Sequence, residues 1–184
     1  DSGGYARVYP SRLAGAGLSG EDVRYYTLNA AVEIDRMVLH NVTGDTQPYV
    51  YVSGIDDSSS ETNIAVSYTY LRNGQAHTIS GTARYPIQTG GAMLVYEKDS
   101  LRSIRQLTQV SLDGLSALSA MGDGREYPIA ENVQVLLRDG SGSRGYYQTD
   151  LSQINGEDYT LTGWYDDLGY SAGGRIRILL AVPQ

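Results

Sequence analysis

His40 and His77 are the only side chains here whose ordinary titration range lies near neutrality. A nucleophilic triad needs such a base held against a nucleophile by a third group. Serines are plentiful, but no Gly-x-Ser-x-Gly elbow occurs, and both histidines fall at the ends of expected strands. Asp56-Asp57 and Asp166-Asp167 are carboxylate doublets. Glycoside hydrolysis needs two carboxyls facing each other across a cleft, roughly 5–10 Å apart. Adjacent residues on a strand or loop point apart, so the doublets read as turn chemistry. The loops 54–63 (GIDDSSSETN), 122–126 (GDGRE) and 138–145 (RDGSGSRG) are rich in oxygen. None has the Asp-x-Asp-x-Asp-Gly spacing of a calcium loop, and Arg138 and Arg144 flank the third. Calcium at residues 56–61 is the one metal alternative; the expectation is no metal, no cofactor and no catalytic residue.

Aromatic side chains offer a different chemistry. Carbohydrate modules bind sugars on exposed rings with polar neighbours. Trp164, Tyr165 and Tyr170 surround one loop, and Tyr146 and Tyr147 lie in the preceding one. These five form a candidate glycan platform. The competing reading places Trp164 in a core, where a lone tryptophan is commonly buried. Asn41-Val42-Thr43 also fits the short glycosylation sequon.

These residues must be positioned by a chain of 184 residues, 41% of them hydrophobic, which suffices for a globular core. Net charge is -7, from 21 acids and 14 bases. An acidic balance argues against nucleic acid and anionic membrane surfaces as partners. No stretch approaches the roughly 20 apolar residues of a membrane helix. Cysteine is absent, which removes disulfides and thiolate sites and is compatible with export. There are 16 Tyr and no Phe; tyrosine packs like phenylalanine but keeps its hydroxyl wet, which suits sheet surfaces and interfaces. The chain opens on DSGGYARVYP, which reads as part of a longer precursor.

Strand signals dominate. Residues 1–20 read as an extended lead-in or linker. Ser19 and Asp22 resemble a capping box, so a helical turn or two from Val23 competes with a strand at about Ala31–Leu39. Pro48–Ser53, Ile64–Leu71, His77–Tyr85, Ala92–Lys98 and Ser103–Leu112 follow as strands, with Asn73-Gly74 a type I′ hairpin turn. Further strands are expected at Leu115–Ala120, Asn132–Leu137, Tyr159–Tyr165 and Arg175–Val182, with a turn at 122–124 and one helical turn at 150–154. The expected architecture is all-β: an Ig-like β-sandwich over 21–112, then a small β-barrel of SH3 or OB scale over 113–184.

The last fifty residues carry a resemblance. Arg138-Asp139-Gly140, the pair Tyr146-Tyr147, Leu151 with Ile154, and Gly173-Gly174-Arg175-Ile176-Arg177 resemble the small β modules of S-layer-homology-domain-containing surface proteins of gut Clostridia. The region from Asn29 to Asp99 is similar to sequence upstream of that module. The resemblance implies export and display at a bacterial cell surface, and no activity. The functional expectation is a non-catalytic extracellular structural or adhesive module. Its partners would be other surface-protein subunits or cell-wall and host glycans, with homo-oligomer or filament formation through β edges. The alternative is a carbohydrate-binding module using Trp164 and its neighbouring tyrosines.

Overall fold

The computed structural model describes residues 4–13, 15–138 and 145–184. The chain is all-β, with 55% of residues in strands and 6% helical. It divides into two compact units, one of residues up to Thr46 with Asp167–Gly174, the other of Gln47–Asp166 with Arg175–Gln184.

The first unit is built on a hairpin of β1 (Val23–Leu28) and β2 (Ile34–Leu39). The Ser19 backbone N–H donates to Asp22 at 2.8 Å, but this cap closes only a single 3-10 turn, Gly20–Asp22. The helical alternative after Val23 is therefore corrected to strand. Tyr25, Tyr26 and Thr27 favour an extended backbone and have cross-strand partners in β2. The hairpin tip is organised by Asn29, whose Oδ1 accepts from the N–H groups of Ala31 and Glu33, both at 2.9 Å. In the same unit the loop at 167–174 packs on Gly44, where a Cβ would collide with the ring of Tyr170.

The second unit contains two sheets. β3 (Tyr49–Asp57), β4 (Val66–Arg72), β5 (Gln75–Thr82), β6 (Gly90–Glu97) and β7 (Ser100–Gln106) form an antiparallel sheet in the order β5-β4-β3-β6-β7. Asn73 and Gly74, with φ of 50° and 74°, make the expected hairpin turn. The other sheet holds β8 (Thr108–Leu112), β9 (Gly114–Leu115), β10 (Ser119–Gly122), β11 (Arg125–Arg138), β12 (Tyr146–Thr149), β13 (Tyr159–Asp166) and β14 (Arg175–Pro183). Its order is β8-β13-β14-β11-β10-β9, with β12 on β11. The sheet curls until Asp113 N–H donates to Met121 C=O at 2.9 Å, and Val110, Leu112, Tyr127, Ile129, Leu161, Ile176 and Leu179 fill the curl.

Boundaries differ from the sequence expectation: Leu115–Ala120 is divided between β9 and β10, and residues 21–46 group with the first unit instead of the sandwich. Ser103–Leu112 is not one strand: it breaks at Leu107, and its halves join different sheets. The expected division at 112/113 therefore falls within the second sheet, because β8 pairs with β13. The sandwich partner of the β3–β7 sheet comes, apart from β8, from beyond residue 112. It is the convex face of the curled sheet: Tyr49, Tyr51, Leu71 and Met93 pack with Leu136, Trp164, Ile178 and Leu180. The far face of the β3–β7 sheet has its own core of Val50, Val52, Val66, Tyr68 and Leu94, covered in part by Tyr85 and Ile87.

Candidate functional site

The five aromatic residues proposed from sequence do not form one surface. Trp164 and Tyr165 are consecutive on a strand and so reach opposite faces of the curled sheet. Trp164 is 3% exposed between the two sheets, so the sequence-based platform reading is corrected to core. Gly90 and Gly91 of β6 make room for it: a Cβ on Gly91 would overlap the base of the indole. The Tyr51 ring meets the indole edge-on at 5.3 Å, and Tyr146 lies 5.0 Å from Tyr51 at the rim. Burial, then the hydrogen bond shared with Tyr146, push the Tyr51 phenol well above its ordinary range. Tyr165 instead packs edge-on against Tyr127 at 5.2 Å, beneath the Arg125 guanidinium. Tyr147 is exposed at 58%, and Tyr170 belongs to the other compact unit.

The other chemical candidates also resolve into structural roles. His77 is exposed on β5 and stacks on Tyr70, with centroids 5.3 Å apart; His40 is exposed after β2. The Asp57 carboxylate is held by Arg84 at 2.5 Å and by the Ser59 N–H at 3.1 Å. Those hydrogen bonds from Ser59, with Arg84 assisting, hold it below the usual carboxylate range. Asp123-Gly124 is the turn between β10 and β11. The oxygen-rich loop at 138–145 falls mostly on residues 139–144, outside the described residues, and so do Asp139 and Gly140 of the surface-protein resemblance. Leu151 and Ile154 do pack on the core of the curled sheet. A depression of about 440 Å³ beside the β6–β7 turn is lined by Glu97, Lys98, Ser100, Leu101 and Arg102. There Arg102 holds the Glu97 carboxylate at 2.6 Å.

A buried polar cluster escaped the sequence reading. A register shift at the Trp164/Tyr165 step leaves Arg177 as an extra residue on β14. Bulges re-aim side chains, and Arg177 lies 4.7 Å from the centroid of the Tyr49 ring. Its Nε is 3.7 Å from Asp166 Oδ2, which also accepts from the Tyr49 hydroxyl. Arg177 and Asp166 are both 1% exposed. Ion pairs this deep persist when hydrogen bonds offset their desolvation. The sequence signal was Arg175 and Arg177 inside an otherwise apolar strand.

One cluster of exposed apolar residues lies elsewhere, in the first unit. On the hairpin of the first unit, Tyr26 pairs with Met37 and Leu28 with Ile34. Directly paired residues share a face, so these four side chains lie together. All are exposed, Tyr26 at 54% and Ile34 at 58%. Val32, at the tip, is 75% exposed with a φ of 62°. A β-branched residue in the left-handed region is a genuine outlier, and such strain tends to collect where function requires it. β1 and β2 pair only with each other among the described strands. The sequence signal for this surface was the apolar content of the run from Tyr25 to Leu39.

No protein-family model matches the chain, and neither a curated protein nor a solved structure matches it.

Proposed function

We propose that this chain is a non-catalytic structural or adhesive module of an extracellular bacterial surface protein, making contact through its β1–β2 hairpin. The carrying observation is the four-residue apolar face of that hairpin, exposed together with a strained apolar tip. Contiguous exposed apolar surface rimmed by polar residues marks interaction sites. A two-stranded hairpin is marginal by itself and gains from added partners. The polar candidates support the same reading: Asp57, Glu97 and Asp166 are each engaged by an arginine. The surface location rests on the sequence resemblance and on a composition compatible with export.

The test is direct binding. Immobilised chain would be probed with soluble chain and with arrayed wall and host glycans. Protein-to-protein binding that is lost in Ile34→Ser with Met37→Ser, at unchanged melting temperature, supports the proposal. Glycan retention untouched by those substitutions, with no protein-to-protein binding, would overturn it.

A further inference from the structure

The β1–β2 register contains an inserted residue. Thr27 pairs with Arg36 and Leu28 with Ile34, so Asp35 has no counterpart on β1. In a regular strand, residues three apart such as Ile34 and Met37 face opposite ways. The insertion brings both to the face of Tyr26 and Leu28. Arg36 shares the other face with Thr27, whose hydroxyl donates to Asp35. The centre of β2 therefore reads apolar, acid, base, apolar, with the apolar pair on one face and the charged pair on the other. All four side chains are exposed.

We infer that β2 is a self-pairing edge, at which a second copy of this chain docks antiparallel about a two-fold axis between Asp35 and Arg36. In that register Ile34 meets Met37 of the second copy and Asp35 meets its Arg36, and symmetry repeats each contact. Opposite charges directly across a strand pair attract, and like charges repel. Neighbouring registers lack the combined match: centring between Ile34 and Asp35 pairs Arg36 with Glu33 but sets Ile34 against Asp35. Centring on Arg36 sets two guanidinium groups against each other. Centring between Arg36 and Met37 sets Arg36 against Met37 and Asp35 against Val38. A bulge usually discourages edge pairing; here it is what makes the edge self-complementary. The product is a four-stranded sheet with one continuous apolar strip, formed from Tyr26, Leu28, Ile34 and Met37 of both copies. The occupant is thus a copy of the chain itself, and the inference rests on reading the hairpin as the contact element.

Sedimentation velocity across a concentration series tests it. Arg36→Asp alone and Asp35→Arg alone each set like charges opposite one another. Each is expected to weaken self-association by about tenfold or more. An equimolar mixture of the two restores opposite pairs and regains the wild-type dimer, as does the double swap within one chain. Arg36→Asp alone also regains association in high salt, which screens exposed carboxylates. Circular dichroism on every variant confirms the fold. Single variants that associate like wild type, or a mixture that stays monomeric, overturn the pairing. If association then still fails in Ile34→Ser with Met37→Ser, the hairpin reading stands and only the register falls. If those substitutions change nothing either, or wild type stays monomeric throughout, both readings fall.

Discussion

Trp164 and Ile34 are both large apolar side chains on strands, yet they meet opposite fates. Trp164 lies between two sheets, fitted against Gly90 and Gly91 and edge-on to Tyr51. Ile34 lies on a hairpin with no further strand among the described residues and is more than half exposed. The inter-sheet region uses its aromatic and charged residues to define one packing arrangement. The hairpin leaves comparable apolar residues in water and accepts strain at Val32. Hydrophobicity alone does not separate core from contact surface in this chain. The number of sheets that cover a strand does.

Disrupting the inter-sheet region should have the largest effect on stability. Arg177→Ala leaves Asp166 buried without that partner and should cost about 3–5 kcal/mol. Trp164→Ala opens a large cavity for a similar cost of about 3–5 kcal/mol. Urea unfolding followed by tryptophan fluorescence reads the first and circular dichroism the second. Gly91→Ala pushes a methyl group into the indole and should cost about 1–3 kcal/mol, read the same way.

Alkaline titration probes the same region without mutation. The Tyr51 phenol is raised in the folded state, mainly by burial. A raised acid favours the fold while it is protonated. Its contribution is complete below the unfolded value near pH 10 and is lost as pH rises above it. Thermal melts should therefore show a steeper alkaline loss of stability in wild type than in Tyr51→Phe. Equal slopes would remove Tyr51 from the account.

The hairpin should respond in the opposite way. Val32→Gly relieves the left-handed strain and should slow amide exchange around Asn29–Glu33, by an amount worth about 1 kcal/mol. Ile34→Ser with Met37→Ser should leave global stability within about 0.5 kcal/mol, because the side chains are already exposed. Their effect should appear in association. A melting temperature lowered by several degrees would show that the hairpin face is structural.

Much of the strand framework was legible because its signals are local. Asn73-Gly74 fixed one hairpin, and the apolar run at 178–182 marked a strand, whose Ile178 and Leu179 are both buried on opposite faces of the sheet. The change of sheet at Leu107 leaves a trace in the spacing of apolar residues. Ile104, Leu107 and Val110 are buried at intervals of three, which a single period-two strand cannot provide. The fate of Trp164 depended on β6, far away in sequence, where the missing side chains of Gly90 and Gly91 leave room for the indole. The Asp166 cluster was still harder to see, since Tyr49 lies 117 residues away and Arg177 reaches Asp166 only through a bulge. At the hairpin, β1 was obscured by a capping signal that serves a single turn.

Hydrogen exchange at two protein concentrations sets the two regions side by side. At high dilution the account predicts slow exchange throughout β13 and β14 and fast exchange at the outward amides of β2. On concentration, β13 and β14 should not change, while β2 gains protection that Ile34→Ser with Met37→Ser abolishes. Exchange at β2 that is already slow at dilution, or that ignores concentration, would contradict the claim that the hairpin is the contact surface.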